Sequence, residues 1–328
     1  MNGAFALLCC GTRAAGFALA AWLGLGGAWA QASNQALREQ VTMIPKGSGL
    51  LSVALEATTY RPPGEGPFPV VVINHGKASG DPRFQARARY AVPAREFVQR
   101  GYLVVIPMRQ GFSKSGGYYV GGGCNVEDNG RRQAEDVVAT LVHMKTWPDA
   151  DLSRILVIGQ SHGGLTTMAF GALNHPGVLG LINFAGGLRP DRCAGWESTL
   201  VDAFGAYARE TRAPSLWFYG DNDSYWPPRL YRAMHESYRA AGGKARLVAF
   251  GDFAADAHGL FGPRSGLSLW VPEVDRFLAE VGLPFVKVHR ISGVADEAAA
   301  PVLDVWDRRC HRAQGPSCGP AGAGSDVA

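Results

Sequence analysis

Ile155-Leu-Val-Ile-Gly-Gln-Ser-His-Gly-Gly164, followed by the run Leu165 to Leu173, is the stretch whose reading decides the fold. Ile155 to Ile158 is short and wholly apolar, as a strand covered on both faces must be. Leu165 to Leu173 has helical spacing. Between them Gly159 to Gly163 spells Gly-x-Ser-x-Gly. A strand passing through that pattern into a helix turns so tightly that the serine hydroxyl stands out, while the flanking glycines avoid Cβ clashes. The first amides of the helix then face charge developing on a substrate. Five residues are a weak pattern alone. The strand before them and the helix after them make Ser161 a candidate nucleophile.

Working outward, the same strand character recurs at Leu50 to Tyr60, Pro69 to Asn74, Leu103 to Ile106, Leu179 to Phe184, Ser215 to Tyr219 and Ala245 to Phe250. Helical spacing falls between these runs, at Pro93 to Arg100, Arg131 to Lys145, Arg229 to Ala241 and Pro272 to Val281. Strands alternating with helices predict an α/β fold: a mostly parallel central sheet with helices on both faces. Two stretches interrupt the alternation, the glycine-rich Arg109 to Asn129 and the long Gly186 to Thr211. Such loops gather at the carboxyl edge of a parallel sheet, where ligands bind.

A serine hydroxyl attacks only when a base takes its proton and a carboxylate holds that base. In an elbow of this kind the order along the chain is Ser, acid, His. His258, after the last strand and before the last helix, is free to reach the sheet edge, whereas His175 and His235 belong to helices and His289 and His311 to an irregular tail. The acid should follow Tyr219, where Gly220-Asp-Asn-Asp223 offers Asp221 or Asp223. Two donors must meet the oxyanion. The amide of His162, next to the nucleophile, is one, and the Lys77 amide, after Asn74-His-Gly76, is the second.

These pieces together resemble the α/β-hydrolases, and within them the broad dienelactone hydrolase group with its serine esterase and prolyl-oligopeptidase-like relatives. The resemblance covers Leu50 to Val281. It rests on Pro69 to Lys77 with its His-Gly turn, on the elbow, on His258-Gly259, and on Arg109 to Gly116, which is similar to an Arg-Gly-x-Gly-x-Ser loop with Gln110 inserted. Gly220 to Asp223 matches Gly-x-x-Asp, and by that pattern Asp223 rather than Asp221 is the triad acid. Dienelactone hydrolases carry a cysteine nucleophile. Ser161 in its place moves the expectation to ordinary carboxylic esters, with peptidase or amidase action, or a binding protein that lost its chemistry, as alternatives. Among the loop aromatics Tyr118, Tyr119, Trp196, Tyr225 and Trp226, the candidate for substrate binding is Trp226.

The 328 residues are 47% hydrophobic and 18% charged, with 43 glycines and 20 prolines, which excludes a disordered chain or a coiled coil. A net charge of +4 is too balanced for a nucleic-acid surface. Met1 to Ala30 has one base, no acid, an apolar run and an Ala-Trp-Ala ending, and so reads as a secretory signal peptide with no lasting membrane insertion once it is cleaved, an uncleaved anchor being the alternative. The expected layout is residues 1–30 as signal, 31–283 as catalytic domain and 284–328 as a peripheral, partly irregular tail. Beyond the signal, the four cysteines Cys124, Cys193, Cys310 and Cys318 of an exported chain suggest two disulfides in one of three connectivities, of which Cys124 with Cys193 and Cys310 with Cys318 is favoured, the second pair for its closeness in sequence. No metal-ligand spacing and no dinucleotide loop stands out, so neither metal nor cofactor is expected. The expected partner is a small-molecule ester, in the periplasm or outside the cell.

Overall fold

The computed structural model describes residues 34–49, 52–121, 123–190 and 192–291. The expected signal peptide, residues 1–30, and the expected Cys310–Cys318 bridge lie outside them. Eight strands form one sheet: β1 (Gln40–Lys46), β2 (Val53–Tyr60), β3 (Phe68–Asn74), β4 (Leu103–Pro107), β5 (Ala150–Gln160), β6 (Val178–Phe184), β7 (Ser215–Tyr219) and β8 (Ala245–Ala249). Their order is β1-β2-β4-β3-β5-β6-β7-β8, with β2 antiparallel to both β1 and β4 and every later pairing parallel. Among the described residues, α1 (Ala91–Gln99), α2 (Val126–Met144), α3 (His162–Gly171), α4 (Trp196–Glu210) and α5 (Pro228–Ala240) connect strands, and α6 (Leu267–Glu280) follows the last one.

The two-residue period of the strands divides the core. Val70 and Val72 of β3, with Leu103, Val105, Ile155, Val157 and Trp217, meet the apolar faces of α2, α3, α4 and α5. Val71 and Ile73, with Val104, Ile106, Leu156, Ile158, Leu216 and Phe218, meet Ala94, Phe97 and Val98 of α1 and Trp270, Val274 and Phe277 of α6. Both faces of the inner strands are therefore covered, which is why they read as unbroken apolar runs.

Two elements went unread in the sequence. β1 is an edge strand in which only Ile44 is buried; its other apolar side chains, Val41 and Met43, are exposed, and Pro45 breaks the run, so no alternation of apolar and polar residues marks it. α4 lies within the stretch that interrupts the alternation; it buries Leu200, Phe204 and Tyr207 among small residues, which mutes its period. α6 begins at Leu267 rather than at Pro272, and the proline sits inside it. Past Leu283 the described chain is irregular yet attached: Val288 and His289 donate their amides to the Gln99 carbonyl, and Arg95 donates to that of Ile291.

Register sets the site. Asn74 of β3 pairs with Gly159 of β5, Gln160 with Phe184 of β6, Phe184 with Phe218 of β7, and Tyr219 with Ala249 of β8. The carboxyl ends of five strands thus stop level, and the residues after each enter one row of loops. Cys124 and Cys193 form a disulfide across the β4–α2 and β6–α4 loops of that row, with Cα atoms 5.5 Å apart. It spans 69 residues. Reducing it, or replacing both cysteines with serine, is expected to lower stability by about 2–4 kcal/mol; thermal midpoints with and without reductant measure this.

Candidate active site

Ser161 joins β5 to α3 with φ +57° and ψ −127°, a conformation that side-chain-bearing residues seldom adopt. Its main chain is fully engaged: its N–H donates to the Phe184 carbonyl, and its carbonyl accepts from the amides of Gly164, Leu165 and Gly187. The tightness of this turn dictates the glycines. A Cβ on Gly159 would lie 2.0 Å from the Gly163 carbonyl oxygen, and one on Gly163 would lie 2.0 Å from that of Asn74. Neither backbone neighbour can yield. Gly163→Ala is expected to cost roughly 3 kcal/mol or more, at or beyond the upper end for overpacking, seen as loss of soluble protein or a lowered denaturation midpoint.

His258 stands in the short helical turn Ala257–Gly259 after β8, and the Asp256 side chain accepts its N–H at 2.9 Å. Its Nδ1 lies 3.1 Å from both carboxylate oxygens of Asp223, and both side chains are buried. A carboxylate only accepts, so the ring proton sits on Nδ1 and Nε2 is left with its lone pair. Asp223 is aimed by its own turn, with Oδ1 accepting the amides of Tyr225 at 2.8 Å and Trp226 at 3.1 Å. Asp221 faces elsewhere: its Oδ1 accepts the Tyr231 hydroxyl at 2.7 Å. Of the two aspartates, Asp223 is the one brought to the histidine.

Gln160 ties the His258 turn and Tyr90, the residue before α1, to the end of β5. Its side-chain amide donates to the His258 carbonyl at 3.1 Å, and its oxygen accepts from the Tyr90 hydroxyl at 3.1 Å. Gly76, in the turn after β3, packs against the elbow so closely that a Cβ there would lie 2.8 Å from Gln160 Oε1 and 3.2 Å from the Ser161 Cβ. This brings the Gly76–Lys77 peptide beside the serine. The Lys77 side chain folds over its own loop, with Nζ 3.3 Å from the Ala78 carbonyl and 5.7 Å from the centre of the Tyr119 ring. The His162 ring is buried, with Nε2 2.8 Å from Asn129 Oδ1. Burial, followed by the charge of Arg109, holds it well below the usual imidazole pKa. The His162 ring is thus neutral packing, and the amides of His162 and Gly163, the first two of α3, carry no intrahelical bond.

Trp226 departs from the expectation of a substrate contact. The indole is 1% exposed; Nε1 donates to the Ala185 carbonyl at 2.7 Å, and the ring packs on Gly187 and Trp196. It pins the Asp223 turn to the end of β6. The aromatic residue that does reach the site is the half-buried Tyr225, whose ring centre is 4.5 Å from that of His258. The roles of Gln160 and Tyr90 had no sequence signal, since one fills a free position of the elbow pattern and the other lies in a loop. Among the described residues, no three His, Cys, Asp or Glu side chains gather in a way that would hold a metal.

With this geometry in view, comparisons with known proteins locate the chain. Residues 49–189 match the X-Pro dipeptidyl-peptidase (S15 family). A protein of Escherichia coli (strain K12) named as a carboxymethylenebutenolidase is 26% identical over 198 residues, 57% of this chain and 67% of that protein. Among solved structures, acylaminoacyl peptidase from Pyrococcus horikoshii superposes with a TM-score of 0.57 at 17% identity. That alignment covers 77% of this chain and only 43% of the peptidase. A structure described as a dienelactone hydrolase, from Klebsiella pneumoniae, gives 0.51 at 21% identity, covering 74% of this chain and 98% of its own. The strand order, the strained elbow and these likenesses agree: the chain has the α/β-hydrolase fold and is similar to hydrolases of the dienelactone hydrolase and S15 peptidase type.

Proposed function

We propose that the protein is an exported serine hydrolase that cleaves carboxylic esters through an acyl-enzyme. The observation that carries this reading is the meeting of His258 with Asp223, the His258 turn being tied by Gln160 to the strained Ser161 turn. Ser161 Oγ attacks the ester carbonyl carbon while His258 Nε2 takes the hydroxyl proton. The resulting imidazolium is held by the Asp223 carboxylate. The tetrahedral oxyanion accepts from the amides of Lys77 and His162. Collapse expels the alcohol, which leaves with the proton from His258, and the acyl group stays on Ser161. Water then attacks the acyl carbon, giving its proton to His258; Ser161 leaves with that proton, and the carboxylic acid is released.

Export is supported by the signal-like residues 1–30 and by the Cys124–Cys193 bridge, since disulfides persist in oxidising compartments. Among the described residues no helix is long and apolar enough to cross a membrane. Two experiments test the activity: a panel of p-nitrophenyl esters of increasing acyl length, and fluorophosphonate labelling mapped to a residue by mass spectrometry. Turnover together with label on Ser161 supports the reading. A protein inert to both, or labelled elsewhere, overturns it. The S15 match favours a second reading, cleavage after an X-Pro dipeptide, which release of p-nitroaniline from Gly-Pro-p-nitroanilide would support. Esters rank first because that match ends at residue 189, before Asp223 and His258.

A further inference from the structure

Two buried groups beside the elbow take no part in the chemistry above, the His75 imidazole and the Arg109 guanidinium. Arg109 is wholly buried; its guanidinium lies 5.2 Å from the centre of the Phe112 ring, and the groups it donates to are neutral oxygens. Its Nη1 donates to the His75 carbonyl at 2.6 Å and its Nε to Gln133 Oε1 at 2.8 Å. Nη2 is buried with no hydrogen-bond partner among the described residues, and burial pulls the guanidinium pKa down to about 10. A buried cation bonded in this way is costly to the fold. Its position therefore calls for a reason other than stability.

The Arg109 main-chain N–H donates to His75 Nε2 at 3.1 Å, and His75 Nδ1 lies 2.6 Å from the Gly76 carbonyl oxygen. An accepting Nε2 places the ring proton on Nδ1, so Nδ1 donates to Gly76. Burial, followed by the charge of Arg109, holds the imidazole well below its usual pKa and keeps this tautomer neutral. The ring is a strut between two backbone groups, with Phe112 edge-on at 4.6 Å. The Tyr90 hydroxyl accepts the Gly76 N–H at 3.3 Å. Three backbone groups in succession, the His75 carbonyl, the Gly76 amide and the Gly76 carbonyl, are thus bound by side chains.

The consequence falls on the next group. The Gly76–Lys77 peptide is trans, and in a trans peptide the carbonyl and the following N–H point in opposite directions. Holding the Gly76 oxygen against the imidazole therefore fixes the direction of the Lys77 N–H. We infer that His75, braced by Arg109, is a positioning residue that aims the Lys77 amide at the oxyanion formed when Ser161 attacks. The inference rests on the ester-hydrolase reading, in which Lys77 supplies that donor.

Two variants separate the two bonds of the ring. His75→Asn keeps a donor at the place of Nδ1; His75→Gln keeps an acceptor at the place of Nε2 and loses the bond to Gly76. With a short p-nitrophenyl ester, His75→Gln should lower kcat by about tenfold to a hundredfold, below the loss of a whole oxyanion donor, with KM within about twofold. Inhibition by a trifluoromethyl ketone, whose hemiketal with serine carries the oxyanion, should weaken by the same factor. His75→Asn should restore most of both. Wild-type kcat and inhibition in His75→Gln overturn the inference, as do equal losses in both variants that track a lowered thermal midpoint. A wild-type protein that neither turns over the ester nor labels at Ser161 overturns the hydrolase reading itself and takes this inference with it.

Discussion

Ser161→Ala is expected to lower kcat for a short p-nitrophenyl ester by about 10⁴- to 10⁶-fold, the range set by removing the nucleophile of a triad. The fold should not notice. The hydrogen bonds that hold residue 161 all belong to its main chain, running to Phe184, Gly164, Leu165 and Gly187, and the side chain caps nothing at the start of α3. Alanine keeps every one of those bonds and inherits the same φ of +57°, so the backbone strain is unchanged. Substrate binding should also persist, with KM within a few-fold, because the amides of Lys77 and His162 remain in place. Activity and stability therefore separate: a dead enzyme with a wild-type thermal midpoint and no fluorophosphonate adduct. Retained turnover at a tenth of wild type or more would remove Ser161 as nucleophile. A large fall in midpoint would show that the hydroxyl carries structural weight.

The parts of this site that were legible from sequence are those dictated by local chemistry. Gly159 and Gly163 announce the elbow because no other residue fits a turn whose neighbours stand 2.0 Å from a Cβ. The inner strands announce themselves because two covered faces demand apolar residues at every position, as in Val70-Val-Val-Ile73. β1 carries no clear signal because, with one partner strand, it leaves Val41 and Met43 exposed and buries Ile44 alone, so its apolar residues do not alternate with its polar ones. α4 was silent because Gly205 and several alanines blur its period. The His75 strut was silent for a different reason. Nothing in Asn74-His-Gly76 shows that the ring will be met by the amide of Arg109, a residue 34 positions away on the next strand's loop. Trp226 misled because an indole in a loop near the acid is as well suited to bracing that loop as to facing a ligand. Its Nε1 bond to the Ala185 carbonyl assigns it to bracing.

The choice between Asp221 and Asp223 shows the same boundary and gives the second large expected effect. Both follow Gly220 on one turn, and either could cap it. Tertiary partners decide their directions: the Tyr231 hydroxyl of α5 takes Asp221, while the amides of Tyr225 and Trp226 turn Asp223 toward His258. Asp223→Asn should therefore lower kcat by about 10⁴-fold. The asparagine oxygen still accepts from the Tyr225 and Trp226 amides, so the turn survives. Its NH₂ now faces the imidazole, and a donor there drives the ring proton from Nδ1 to Nε2, the position that must receive the serine proton. Asp221→Asn should change kcat by less than about threefold, because an amide oxygen still accepts the Tyr231 hydroxyl at a cost of about 1 kcal/mol or less. Steady-state kinetics of the two variants side by side, with thermal midpoints as the control for folding, decide the matter. The reverse ranking, Asp221→Asn inactive and Asp223→Asn active, would place the acid on the other arm of the turn and require His258 to move to meet it.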